Sequence, residues 1–419
     1  MNKPNLVARS KTCLSNVLSH ATELEIKRGE GSYLIDYNDK RYLDFGAGIA
    51  VNATGHCHPD VVSAIQTQAT QLLHACAGVV YYDQNITLAE HLVSASGLDA
   101  VFFTQSGAEA VEAALKCAVY VKKKQQVIAF NGSFHGRTLG ALSVTTSNKK
   151  YTEGYPLAFD DTIVLDYPNF TQNPADRNTL DNYLSYLTQQ LNALDASTIG
   201  AMIIEPFLGE GGYIPAPGDV LKLLRDWTTE NDVCLIFDEI QSGIGRTGKW
   251  FYFQHYDVTP DILTSAKGIA SGLPLGACIA SKSIMNLWTT GSHGGTYSGN
   301  PISCAAGIAT MSILSSQLGH IQQLGVYSLQ KLTEHLKNTD VVSDIRGHGL
   351  MIGIEIIDTT GAPSAEITAK IRALCLEQQL LVLSCGQQGN VLRLMPPLTI
   401  QQSELDQGLD IIINACQQI

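Results

Sequence analysis

Short apolar runs punctuate the chain from about residue 56 to 305, separated by stretches with helical spacing. The runs are VFF (101–103), VIAF (127–130), IGAMIIEP (199–206), VCLIFDEI (233–240), DILTSA (261–266) and PLGACIA (274–280). None alternates apolar with polar residues, which is the pattern of strands covered on both faces. Their alternation with helices predicts an α/β fold around a mostly parallel sheet. The segment ELEIKRGEGSYLIDYNDKRYLDF behaves differently. It alternates around turn residues at Gly29-Glu30-Gly31 and Asn38-Asp39, which predicts a small meander. After Asn300-Pro301 a small-residue helix, SCAAGIATMSIL, leads into a tail that reads helix–strand–helix–strand–helix. The expected division is 1–55 as the first part of a small domain, 56–305 as a large α/β domain, and 306–419 as the α+β remainder of the small one.

The chemistry concentrates at the ends of these runs. VCLIFDEI stays apolar until Asp238 and Glu239, so an acidic pair is expected at the carboxyl edge of the sheet, where ligands bind in open α/β folds. A strand-end aspartate is as often a turn residue. The next run, DILTSA, ends at Lys267-Gly268, and a lone strand-end lysine is usually a surface residue. Together, Asp238 and Lys267 suit pyridoxal-phosphate chemistry. The amine condenses with the cofactor aldehyde and later moves a substrate proton, while the carboxylate keeps the pyridine nitrogen protonated. Gln241 is a candidate donor to the phenolic oxygen.

A phosphate cradle is expected at FFTQSGAEAVEAALKCAVYVKKK. There Ser106, Gly107 and Ala108 open a helix whose apolar face carries Val111, Ala114, Leu115, Ala118 and Val119. Unpaired amides and the dipole make such an N-terminus an anion site. Ser106 reads equally as an N-cap, and Gly107 tilts the balance by allowing close approach. In NGSFHGRT, Phe134 is a candidate to stack on the cofactor ring, or a core aromatic. Arg137 is a candidate fork for a carboxylate.

Composition removes other classes. A net charge of −12 and a pI near 5.3 disfavour nucleic acid as a partner, and Lys122-Lys123-Lys124 reads as a solvated helix end. Ten cysteines lack a C-x-x-C pair. With no apolar leader and no run long enough to span a bilayer, a cytoplasmic protein without membrane contact is expected. Gly243–Gly248 matches G-x-G-x-x-G, but aromatic KWFYF follows instead of a small-residue helix, so the match reads as coincidence. His56-Cys57-His58 reads as structural, and no metal site is expected.

The motifs YLDFGAGIAVNATGHCHP, EPFLGEGGYIPAP, LIFDEIQSGIGRTGKW, AKGIASGLPLGA, GGTYSGNP and NVLRLMPPLTI together resemble the class III (fold type I) pyridoxal-phosphate aminotransferases. That group holds the 4-aminobutyrate, ornithine and acetylornithine enzymes, and the resemblance covers essentially the whole chain. It implies Lys267 as the cofactor lysine, Asp238 as the pyridinium partner and Gln241 as the phenolic contact. Ser106, Gly107 and Ala108 would hold the phosphate, with Phe134 and Ile240 around the ring. Thr296 would reach the phosphate of a neighbouring subunit, implying a homodimer or higher homo-oligomer with shared sites. For substrate the resemblance implies Ile49, a distal-carboxylate clamp at Arg137, and a Glu210–Arg393 pair that opens for 2-oxoglutarate or glutamate.

The SCG…NVLR pattern looks closest to bacterial 4-aminobutyrate aminotransferases. The expected reaction is therefore 4-aminobutyrate with 2-oxoglutarate, giving succinate semialdehyde and glutamate. EPFLGEGG departs from the pattern, with Phe207-Leu208 where related enzymes more often carry Val-Gln. Competing readings are an acetylornithine, ornithine or broad ω-amino acid aminotransferase, a racemase on the same scaffold and, from another class, a nicotinamide-dependent oxidoreductase.

Overall fold

The computed structural model describes residues 5–159 and 161–419. The N-terminal alternation becomes an antiparallel meander of β1 (Ile26–Glu30), β2 (Tyr33–Asp36) and β3 (Arg41–Asp44). The unalternated runs become β4 (Ala100–Thr104), β5 (Gln126–Phe130), β6 (Ile163–Leu165) and β7 (Ile199–Ile204). A ribbon of β8 (Phe207–Leu208) and β9 (Ile214–Pro215) follows, and then β10 (Cys234–Asp238), β11 (Ile262–Ser265) and β12 (Gly276–Ala280). Apart from the ribbon, β4 to β12 form one seven-stranded sheet in the order β4-β12-β11-β10-β7-β5-β6. The five strands from β11 to β6 pair in parallel, whereas β12 runs antiparallel to both its neighbours. The fold is α/β with a mixed, mostly parallel sheet, as the resemblance implies.

Two separate cores explain why these strands show no polar alternation. Val127, Ala129, Ala201, Ile203, Cys234 and Ile236 face the helix Gly107–Lys122, which buries Ala110, Val111, Ala114, Leu115 and Ala118 on that side. The alternate residues Ile128, Phe130, Met202, Ile204, Leu235 and Phe237 enter the larger core on the other face. Each fully buried side chain of this size stabilises by roughly 1.5–3 kcal/mol, so a charge on either face is costly until the strand ends. The end of the Gly107–Lys122 helix is tied down rather than merely solvated. Lys122 pairs with Asp232, and Lys124 Nζ donates to the Asn231 and Asp232 carbonyls.

The C-terminal part departs from the simple alternation expected. Helices Leu318–Leu336, Ala365–Glu377 and Gln402–Gln417 form, but each expected single strand is divided. The first is a hairpin of β13 (Val342–His348) and β14 (Met351–Ile356). The second comprises β15 (Leu380–Leu381), β16 (Leu383–Cys385) and β17 (Val391–Leu394). Gly349 makes the first turn with φ +53, and a Cβ there would meet Thr247 backbone carbon at 2.6 Å; only glycine fits. β13, β14, β17 and β16 form a second sheet, while β15 pairs in parallel with β3 and so extends the N-terminal meander. Among the described residues no single helix is long and apolar enough to cross a membrane.

Candidate active site

The carboxyl edge of β7, β10 and β11 opens into a cavity of about 610 Å³. Asp238 is the last residue of β10, and Lys267 lies two residues past β11 with φ +40. Both line the cavity. Asp238 is 3% exposed, and its carboxylate is held by three contacts. Its Oδ2 lies 2.6 Å from His135 Nδ1, and its Oδ1 accepts from Thr264 Oγ1 at 3.0 Å and the Ile240 amide at 3.1 Å. These contacts fix the plane of the carboxylate. Burial pushes the Lys267 amine down to about 8; Arg393 adds to the shift and the carboxylates of Glu205, Asp238 and Glu210 oppose it. About a tenth of this lysine is therefore the neutral, nucleophilic amine at pH 7, far more than of an exposed lysine.

Glu239 does not join Asp238 as an acidic pair. One residue along the chain its side chain points away, accepting from Ser242 Oγ at 3.0 Å and from the Tyr252 and Phe253 amides. It fastens the turn that follows Gly243–Gly248. That glycine segment is a run of turns, in which a Cβ on Gly248 would meet Gln322 Cβ at 2.8 Å. The glycines serve close packing there.

The start of the helix Gly107–Lys122 forms one wall. Ser106 caps it, with Oγ accepting from the Glu109 amide at 3.3 Å, while Glu109 reaches back to the Gln105 amide at 2.7 Å. Ser106, Gly107 and Ala108 all line the cavity, so the cap and the anion-site readings describe the same residue. A Cβ on Gly107 would stand 2.9 Å from Ile240 Cδ1, which shows how closely Ile240 lies over this turn.

Phe134 and Arg137 lie on the segment after β5, whose Gly136 packs against Ala108. Arg137 lies over the Tyr151 ring at 4.5 Å and the Phe134 ring at 5.6 Å, and the two rings meet edge-on at 5.7 Å. Glu210 sits in the β8–β9 turn, and its Oε2 accepts from Arg393 Nη1, on β17, at 2.7 Å. The Gly386 amide donates to the Glu210 carbonyl at 2.8 Å, tying the turn to the loop before β17.

Ile49 reaches the cavity on a strained turn. Ala47, Gly48, Ile49 and Ala50 all have left-handed φ values of 42–66°, which for non-glycine residues costs roughly 1–2 kcal/mol each. Asp44 offsets this, because its Oδ1 accepts from the Gly46 and Ala47 amides while Oδ2 lies 2.9 Å from His56 Nε2. Thus His56 of the His56-Cys57-His58 cluster buttresses this turn, and His58 caps the helix Pro59–Gln71. Thr296 lies apart, exposed in the segment after Gly295.

Three residues went unnamed in the sequence reading. His135 and Tyr151 have no strand-end or spacing signal. Glu205 does: it ends the β7 run as Asp238 ends β10.

A model of the class-III aminotransferases matches residues 14–416. The chain belongs to that family. It is 38% identical to an acetylornithine aminotransferase of Clostridium acetobutylicum, over 96% of this chain and 98% of that enzyme. It is 34% identical to a 5-aminovalerate aminotransferase of Pseudomonas putida, over 98% of each. The solved ornithine aminotransferase of Toxoplasma gondii superposes with a TM-score of 0.88 at 27% identity, covering 99% of this chain and 94% of that one. Class-III aminotransferases are pyridoxal-phosphate enzymes, and this chain is an aminotransferase that uses that cofactor.

The cavity fits the cofactor. Besides the lysine, the carboxylate and the capped helix start, it presents the Gln241 amide, whose Oε1 is buried without a partner, and, for a substrate carboxylate, Arg393, whose Nε is likewise unpaired. Buried polar atoms of this kind are costly unless a ligand meets them.

Proposed function

We propose that the chain transfers the terminal amino group of an ω-amino acid, 4-aminobutyrate in the first reading, to 2-oxoglutarate. The carrying observation is the Glu210–Arg393 pair at 2.7 Å beside Lys267. A terminal-amine donor has no carboxylate next to the reacting carbon, so an unpaired Arg393 would face its CH₂ groups at a desolvation cost. Paired with Glu210 the charge is covered. When 2-oxoglutarate or glutamate enters, its α-carboxylate competes for the guanidinium fork and Glu210 swings aside. Arg137, braced by Tyr151, holds the distal carboxylate in both halves of the reaction.

Bound at Asp238 and Lys267, pyridoxal phosphate would supply the electron sink that makes the C–H of the amine-bearing carbon acidic. In this reading Lys267 Nζ accepts and returns that proton, Asp238 faces the pyridine nitrogen, and Gln241 contacts the phenolic oxygen. Ser106, Gly107 and Ala108 receive the phosphate, Phe134 and Ile240 enclose the ring, and Ile49 packs on the donor chain. The exposure of Thr296 supports its assignment to the site of a second copy, and so a homodimer.

A second donor is favoured by a separate observation. Several relatives from bacteria and archaea, at 36–38% identity, are acetylornithine aminotransferases. N-acetylornithine also carries a terminal amine and a distant carboxylate. The purified holoenzyme, mixed in turn with 4-aminobutyrate, 5-aminovalerate and N-acetylornithine without any oxo acid, separates the donors by the rate at which the cofactor band converts to the amine form. Fastest conversion with 4-aminobutyrate supports the first reading. Fastest conversion with N-acetylornithine replaces the donor and keeps the reaction. No conversion with any donor or with glutamate, alongside racemisation of an amino acid, overturns transfer.

A further inference from the structure

Glu205 is 5% exposed, lines the cavity and has no role in the reaction as set out above. It is the first residue after β7, the strand beside β10, so its carboxyl group lies at the same sheet edge as Asp238. Its two oxygens serve two different loops. Oε1 accepts from the Phe134 amide at 2.8 Å, and Oε2 accepts from the Gly209 amide at 2.8 Å. The first loop carries Phe134, His135 and Arg137; the second carries Glu210. Gly209 is packed so closely that a Cβ would meet Gln241 Nε2 at 2.8 Å and Glu205 Oε2 at 3.1 Å. Behind the carboxylate, its own backbone carbonyl accepts from Tyr167 Oη at 3.0 Å, which fixes the strand end.

We propose that Glu205 is a positioning residue for transamination: a buried carboxylate clamp that sets the spacing between the Arg137 segment and the Glu210 turn, and so between the two carboxylate sites of the substrate. This rests on the cavity being the transamination site, but not on which donor it takes.

Two amides donating to its two oxygens are held most strongly when the group is ionised. The charged and titratable groups facing it are His135, Asp238, Lys267 and Tyr167. Burial pushes the Glu205 carboxyl up to about 7, with Asp238 adding to the shift and His135 opposing it. Protonation turns one oxygen into a donor and a poorer acceptor, which weakens its hold on one loop. The clamp is therefore engaged above about pH 7 and weakens below it.

The test is Glu205→Gln and Glu205→Ala holoenzyme beside wild type. In the Gln variant one amide keeps an acceptor while the other faces an NH₂ group, a buried mismatch of the kind that costs about tenfold in an equilibrium constant. KM for 2-oxoglutarate and for the amino donor should both rise about tenfold, with kcat falling less. Removing the negative charge facing Lys267 should also lower the pH midpoint of the bound cofactor's visible absorbance, a shift that misfolding alone would not produce. Both KM values and the midpoint unchanged in the Gln and Ala variants would overturn the proposal. If neither variant folds, hydrogen exchange in wild-type holoenzyme decides. The Phe134 and Gly209 amides should be protected together, and exchange of either at the rate of a free amide overturns the clamp. Failure of wild type to convert any donor would sink the functional reading instead, and the exchange result would stand apart from it.

Discussion

Arg393 donates from Nη1 to Glu210 Oε2 at 2.7 Å, while its Nε is buried with no partner. The guanidinium fork is thus half satisfied, which suits an arginine that exchanges one carboxylate for another. Glu210→Ala removes the resident carboxylate and leaves the charge bare. The half-reaction with the ω-amino donor should slow about tenfold, since truncating one partner of a charge pair costs a few kcal/mol when buried and less here, where Glu210 is partly exposed. The half-reaction with glutamate should hold or improve. Stopped-flow absorbance of each half-reaction separates the two, and equal losses in both would remove the switch.

Lys267 gives the pH dependence. Burial, with Arg393 adding to it, brings its amine down to about 8 from the usual 10.5. In apoenzyme the neutral amine therefore gains population as pH rises through about 8, two units or more before an exposed lysine. Labelling apoenzyme with an amine-reactive reagent and following the peptide that carries Lys267 by mass spectrometry should give a midpoint near 8. Replacing Asp238 with Asn removes an opposing negative charge, so the midpoint should fall further. A Lys267 midpoint with the ordinary surface lysines would contradict the burial argument.

Asp238 and Lys267 were legible in the sequence because an apolar run covered on both faces can end only where the sheet ends, and a charge there declares the edge. Glu205 carries the same mark on β7. Its meaning depends on β7 lying next to β10, and sequence spacing does not reveal strand order. His135 reaches Asp238 across 103 positions, and Tyr151 meets Arg137 only through the fold of the intervening segment. The acidic pair failed for a local reason: the chain turns after β10, so Asp238 and Glu239 point to different sides. In the C-terminal part a single strand was expected where a hairpin forms; its turn falls at Gly349, which is held too close to Thr247 for any Cβ.

Arg137 is held face-on by Tyr151 at 4.5 Å. Tyr151→Leu removes the ring, and a cation–π contact at an exposed arginine is worth about 0.5–1 kcal/mol. KM for donors with a distal carboxylate should rise about two- to fivefold with kcat nearly unchanged, whereas Tyr151→Phe should stay close to wild type. A matched loss for a simple alkyl amine lacking the carboxylate would show that Tyr151 acts on the cavity as a whole.

Gly107 and Ile240 leave little steric margin where the cavity meets the helix start. Gly107 is the first residue of its helix, where alanine is well tolerated, so Gly107→Ala should leave the melting temperature almost unchanged. Its Cβ, however, would stand 2.9 Å from Ile240 Cδ1 and 3.1 Å from Cγ2. Ile240 must then move toward the space that the cofactor ring takes. Cofactor affinity should drop by about tenfold, a cost typical of forcing one extra methyl into a packed site. The double variant Gly107→Ala with Ile240→Val relieves the contact and should recover most of that loss, giving a non-additive cycle of the kind touching residues show. Equilibrium dialysis of the cofactor against the four proteins measures it. Strict additivity would mean that the two side chains do not meet, and that the glycine is required for the approach of the phosphate alone.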